Sequence, residues 1–307
     1  MRGEVELPGR LAAIAAERDR VWVAGQADPE GGVVYGIADD AVVQQVEVGT
    51  IPSALAVGLG AVWVANASGA GVLYQRHERR PEFPRENSVQ RIDHATGEVI
   101  ASIKIPNPTG LVVAHGSVWA VTPGGGGKDL TVVHRIDPVR SDVVARVQVP
   151  GCCPSIAATA EGIWLLTSPP PKTAGLLFID PTSLAVSKRI RLPRGQTRMI
   201  AASDQTIWVL YSGGTGGLLQ IRPMRADPVG QFIQLPFGQA LTVDDELIWV
   251  STDRPDVRLF REDGRELVSL GTDEPIRALT TDDGRVWAIA GRGTVIALAA
   301  DCGMGCG

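Results

Sequence analysis

Pro52-Ser53-Ala54-Leu55-Ala56-Val57, a glycine turn, Val62-Trp63-Val64-Ala65, a long polar insertion, Ser88-Val89-Gln90-Arg91-Ile92-Asp93, a turn at Ala95-Thr96-Gly97, and Val99-Ile100-Ala101-Ser102-Ile103-Lys104-Ile105 make up one stretch of this chain. Each apolar run is short, rich in Val and Ile, and closed by turn residues. A helix would need apolar residues three and four apart over ten or more positions. The stretch between Ile51 and Pro106 therefore reads as four consecutive β-strands.

The tryptophans show that this unit repeats. There are seven, at Trp22, Trp63, Trp119, Trp164, Trp208, Trp249 and Trp287, each in a frame such as Val-Trp-Val-Ala, Ile-Trp-Leu-Leu or Ile-Trp-Val-Ser. Successive spacings are 41, 56, 45, 44, 41 and 38, which brackets the four-stranded blade of a β-propeller. The expected fold is all-β: a seven-bladed β-propeller with four-stranded blades. Blade one covers Arg10 to Val48, blade two Thr50 to Ile105, blade three Asn107 to Val149 and blade four Cys152 to Leu192. Blade five covers Gln196 to Leu235, blade six Phe237 to Leu270, and blade seven starts at Glu274. Gly3-Glu4-Val5-Glu6-Leu7-Pro8 reads like a fourth strand with nothing before it, and Gly293-Thr294-Val295-Ile296-Ala297-Leu298 like a third strand with no fourth. Residues 3–8 are therefore expected to complete blade seven and close the ring, removing two sheet edges. One domain is expected over residues 1–300, with a flexible Cys/Gly tail at 301–307.

Composition agrees. With 307 residues and 44% apolar residues there is material for a large core, and the 36 glycines and 21 prolines fall mostly between runs. A net charge of −5 and a pI near 5.5 exclude the basic face of a general nucleic-acid binder. No apolar run approaches the length that spans a bilayer, and Met1 to Arg10 has no hydrophobic signal core. The expectation is a soluble, cytoplasmic monomer without nucleic-acid or membrane partners, or an exported or larger protein if a segment has been trimmed.

Residues 52–66, Pro-Ser-Ala-Leu-Ala-Val-Gly-x-Gly-Ala-Val-Trp-Val-Ala-Asn, with Arg-Ile-Asp-x-Ala-Thr-Gly-Glu-Val at 91–99, resemble the repeat of the YVTN-type, YncE-like bacterial propellers. The resemblance covers nearly the whole chain and is best in blades two and three. It implies a binding scaffold. More distantly the chain resembles the streptogramin B lyase group of seven-bladed propellers, which would imply a metal-assisted ring-opening lyase using histidine and glutamate at the central pocket. The residue types do not reproduce that site. His94 falls in a third-to-fourth-strand turn and His115 in a first-to-second-strand turn, both on the face opposite the one where propellers bind ligands. His134 falls in an outer strand, which leaves only His77, in the blade-two insertion, to reach the ligand face. Asp93, Asp137 and Asp180 read as turn caps, bonding backbone amides two residues on.

What gathers on the ligand face is arginine. Counting back ten residues from each tryptophan reaches the start of an inner strand at Ala12, Ser53, Thr109, Arg198, Gln239 and Arg277, with Ser155 taken as the blade-four equivalent after a one-residue deletion. Arg10 and Arg194 lie nearby. Guanidinium groups at a narrow channel mouth suit a carboxylate or phosphate; the alternative is that they bond carbonyls, or acids such as Asp273 and Glu274, across blades. Ser53, Thr109, Cys152, Cys153 and Gln239 join Arg10, Arg198 and Arg277 as candidate ligand-binding residues. The insertion Ala67 to Asn87, with Arg76, His77 and Glu78, is a candidate lid. Cys152 and Cys153 are adjacent, so a bond between them would be strained, because neighbouring α-carbons stand about 3.8 Å apart. The pair reads as reduced thiols, a redox sensor or soft-metal ligands, and Cys302 and Cys306 sit in the tail. No cofactor is assigned; a divalent or soft metal is the one kind the residues leave open. Two functions follow: a binding scaffold for an anionic small molecule, peptide or protein, or a lyase or hydrolase drawing on His77, Glu78, Asp28, Asp253 and the arginines.

Overall fold

The computed structural model describes residues 3–18, 20–27, 31–67, 87–123, 130–168, 174–212, 216–282 and 285–298, with the backbone alone at Cys153 and Pro154. These residues form seven four-stranded antiparallel sheets, all but one in simple chain order from inside to outside. The inner strands Arg10–Glu17, Pro52–Gly58, Gly110–Ala114, Cys152–Ala158, Thr197–Ala202, Gly238–Asp244 and Ile276–Asp282 each lie against the next, and the last lies against the first. The protein is a seven-bladed β-propeller.

Why the strands read as they do follows from which faces are covered. Each sheet is sandwiched between two others, so a strand in its middle has no solvent side and needs no polar alternation. Ala61–Asn66 is accordingly buried at every position. The outermost strand of blade three, Asp142–Pro150, instead alternates between exposed and more buried positions, as a strand with one wet face does.

The core is divided into seven clusters, one for each seam between neighbouring blades. Trp22 packs with Val62, Val64 and Ile92 of blade two, and Trp63 with Val118, Ala120 and Ile136 of blade three. Trp119, Trp164, Trp208 and Trp249 repeat the arrangement against blades four, five, six and seven. Trp287 completes it against Leu11, Val21 and Tyr35 of blade one. Every indole thus faces forward along the chain, and even the least buried, Trp287, is only 8% exposed.

The ring closes as the terminal patterns require. Glu4, Val5 and Glu6 pair with Ile296, Val295 and Thr294, while the Ala297 amide donates to Gly3 O and the Leu7 amide to Gly293 O, both at 2.8 Å. The regular strand is Glu4–Glu6, shorter than the expected 3–8, because the chain must turn inward at once to begin blade one. Gly9 makes that turn with φ of +93°, and a Cβ there would stand 2.1 Å from the Gln26 carbonyl oxygen. Val5 and Leu7 are buried in the seam between blades seven and one.

Trp63→Ala is expected to lower the unfolding free energy in urea by about 3–5 kcal/mol, the range for emptying a close-packed aromatic site. Deleting residues 1–8 should lower the melting temperature by many degrees, since it exposes the edge of Thr294–Leu298 and uncovers the last seam; an unchanged value would show that closure contributes nothing.

Candidate functional site

Each blade hands the chain to the next across one face of the ring, the top face, where an outer strand ends and the next inner strand begins. Because adjacent strands run antiparallel, the second-to-third-strand turns lie on this face too. Just after entering, the inner strands break register with their neighbours at a common position. The ladder skips one residue between Leu11 and Ala13, Pro52 and Ala54, Thr197 and Met199, Gly238 and Ala240, and Ile276 and Ala278. In blade three, Thr109 holds the same place, its amide donating at 2.9 Å to the carbonyl of Val121, the residue opposite Gly110. A β-bulge turns its extra residue out of the ladder and re-aims the side chain. Ala12, Ser53, Thr109, Arg198, Gln239 and Arg277 therefore form a rim of strand-start residues on the top face, each ten residues ahead of its blade's tryptophan.

Blade four corrects one expected correspondence. Its ladder skips Cys153 and Pro154, and Ser155 pairs with Leu166 as Ala54 pairs with Ala65. No deletion is needed, because the residue ten before Trp164 is Pro154. Ser155 sits one step inside the rim, where its Oγ accepts the Ile200 amide at 3.1 Å.

The rim residues divide by what they already bond. Ser53 Oγ donates to Pro108 O at 2.7 Å and Ala65 O at 3.2 Å, stitching blade two to blade three. Thr109 is exposed, its hydroxyl 3.5 Å from Val121 O. Arg198 Nε donates to Gln239 O at 2.8 Å, so the carbonyl-bonding alternative holds for that nitrogen, and Gln239 serves through its backbone. The terminal nitrogens of exposed Arg198, and the guanidinium groups of exposed Arg10 and Arg277, have no partner among the described residues. Asp273 and Glu274, the acids expected to pair with them, form no ion pair among the described residues. Cys152 is half-buried; it pairs with Ser168 as Arg10 pairs with Gln26, each partner four residues past a tryptophan. Asp253 is exposed in the second-to-third-strand turn of blade six. The Cys153 side chain, Asp28, the lid residues Arg76, His77 and Glu78, and Cys302 and Cys306 lie outside the described residues. Two exposed arginines of the same sector, Arg254 and Arg292, were not expected. Each follows its tryptophan by five residues, a spacing that could have found them.

On the opposite face four cations join neighbouring blades, while Arg18, Arg140, Arg225, Arg265 and Arg285 stand exposed. Arg20, Arg91 and Arg135 lie 5.6, 5.5 and 5.5 Å from the rings of Trp22, Trp63 and Trp119, and each reaches forward to the next blade. Arg20 donates to His94 O at 3.0 Å, Arg91 to Ser141 Oγ at 3.2 Å and Arg135 to Pro181 O at 3.0 Å. Lys188 does the same to Pro223 O. His94 and His115 belong to this face as expected, His94 edge-on to Trp22 and His115 against Thr159 O. Asp93, Asp137 and Asp180 cap turns, each Oδ1 accepting two backbone amides. Those amides hold the three carboxyls below their ordinary range. Among the described residues no three His, Cys, Asp or Glu side chains gather closely enough to hold a metal ion, and no helix is long and apolar enough to cross a membrane.

Fold and rim define the class as a seven-bladed β-propeller, and solved structures agree. The chain is similar to hydrazine synthase of Kuenenia stuttgartiensis, with TM-score 0.75 and 14% identity over 96% of each chain. It is also similar to the β-propeller domain of Cps50 (Swd1) from Myceliophteria thermophila, with TM-score 0.70 and 11% identity over 95% of this chain and 96% of that one. BamB of Moraxella catarrhalis gives TM-score 0.59 and 12% identity over 95% and 84%. At such identities the likeness is one of fold. No protein-family model matches the chain, and no curated protein does.

His134 lies in the third strand of blade three, Leu130–Asp137, and it is buried there. It is 3% exposed, on the same strand face as Ile136, which packs into the seam with blade two. Its Nε2 lies 3.2 Å from Thr122 Oγ1, and its buried Nδ1 has no hydrogen-bond partner among the described residues. Burial, aided by the positive charge of Arg146, pushes its pKa down to about 4. In the unfolded chain it titrates near 6.5, so between those values the unfolded state holds a proton that the folded state lacks. Stability should fall as pH drops from about 6.5 towards 4, by about 1.4 kcal/mol per unit inside the window. Urea denaturation at pH 7, 6 and 5 checks this, and His134→Gln should flatten the slope between pH 6.5 and 5, above most carboxylate titration.

Proposed function

We propose that this propeller is a YVTN-like binding scaffold whose top face captures an anionic small molecule, peptide or protein segment at the channel mouth. The observation that carries the reading is the gathering of arginine at the strand starts of the top face. Arg10, Arg198 and Arg277 stand exposed near the inner-strand starts of blades one, five and seven, with guanidinium nitrogens free of carboxylate partners among the described residues. Guanidinium forks match carboxylate and phosphate oxygens bidentately. Arg198 is held in place by its bond to the Gln239 carbonyl, so less side-chain freedom is lost on binding. Blades five, seven and one supply these groups, and blades two and three carry Ser53 and Thr109 at the equivalent strand starts.

Thermal shift against phosphate, sulfate, acetate and citrate, repeated with divalent metals, tests the proposal. An anion at ten times its dissociation constant stabilises by about 1.4 kcal/mol, which raises the melting temperature by a few degrees in a protein of this size. The shift should vanish in Arg198→Ala and Arg277→Ala, comparing each variant with its own anion-free value because Arg198 also bridges two blades. No anion shift in the parent protein would overturn the proposal, and stabilisation by metals alone would favour the lyase or hydrolase alternative.

A further inference from the structure

The strand-start segment of blade six carries a side chain that the anion site alone does not explain. Phe237 stands two residues ahead of the bulge residue Gln239, the position held by Arg10 in blade one. Leu235 and Leu241, on either side of it, are buried in the seam between blades five and six, but Phe237 is outside that cluster and 49% exposed. Scattered exposed apolar residues need no explanation in themselves; the surroundings of this one do. The Phe237 carbonyl accepts the Asp253 amide at 2.8 Å, which brings exposed Arg254 alongside. Two residues on, the Gln239 carbonyl holds Arg198 Nε, also at 2.8 Å. Half-exposed Phe237 thus stands on a segment whose backbone is bonded to the turn that carries Arg254 and, two residues on, to Arg198 of blade five. Arg277 is on the next inner strand.

Resting on the anion-binding reading above, we infer that the ligand of this face is a small anion bearing an aromatic ring, an aryl phosphate or aryl carboxylate. The anionic group would be held by Arg198 and Arg254, and its ring would pack against Phe237. An offset or edge-on aromatic pair adds about five- to tenfold in affinity beyond the charge contact. The ring would also lie where a guanidinium can stack on it. An anion without a ring would leave Phe237 wet and gain none of this.

Titration calorimetry with inorganic phosphate against phenyl phosphate, and acetate against benzoate, reads the ring's contribution directly. The expected result is five- to tenfold tighter binding of the aryl member of each pair, falling to parity in Phe237→Ala and Phe237→Leu while phosphate itself binds as before. Phe237 is outside the core cluster, so both variants should fold, which melting curves verify. Equal affinities within each pair, or an aryl preference that survives in both variants, overturn this inference and leave the anion site standing. If none of the four probes binds, the anion site falls as well.

Discussion

The fold depends on an indole placed not in its own blade's interior but in the seam with the next. A four-stranded sheet buried on both faces cannot satisfy itself, because each apolar face needs another sheet over it. Seven clusters, each built from two neighbouring blades and each holding one tryptophan, meet that need only if the sheets return to their starting point. The inner strands are rich in small residues for the same reason: Leu11, Ala12, Ala13, Ile14, Ala15 and Ala16 let one sheet edge approach the axis beside six others.

From that arrangement the two faces acquire different work. On the lower face the indoles carry guanidinium groups over their rings in the first three blades, and those cations go on to bond the following blade. Their positive charge meets carbonyl or hydroxyl oxygens of that blade. On the upper face a bulge at the start of six of the seven inner strands takes a side chain out of the ladder, and what that position presents is decided by sequence alone. Blades two and three present hydroxyls, and blades five and seven present arginine. The asymmetry is chemical rather than architectural, as expected for a repeated scaffold in which function is carried by a few positions.

Legibility in the sequence followed distance from the tryptophans. The blade count, the closure by the first strand and the rim positions were readable because each lies at a fixed offset along one sheet. Ser155 was misplaced because a run of small residues gives no internal mark of register, and Pro154 already stood at the right spacing. The bond from Arg198 to the Gln239 carbonyl was not readable, since it depends on how two blades are rotated against each other. His134 was taken for an outer-strand residue with no special setting; it is buried because the seam extends to the third strand, beyond the reach of a pattern that marks only the second. Arg254 and Arg292 escape a count along the strands because they sit in turns, five residues past their tryptophans.

Joining the two chain ends in one sheet changes how such a molecule can come apart. An open row of blades would fray from its ends, shedding one unit at a time as linear repeat arrays do, since each unit touches only its neighbours. A closed row has no end, so losing any blade breaks two seams at once and melting becomes a single concerted event. The joint is nonetheless uneven: three residue pairs hold Glu4–Glu6 to its neighbour, where the outer strand of blade three is held by eight. Partial opening, and the earliest loss of amide protection, should begin at that short zip.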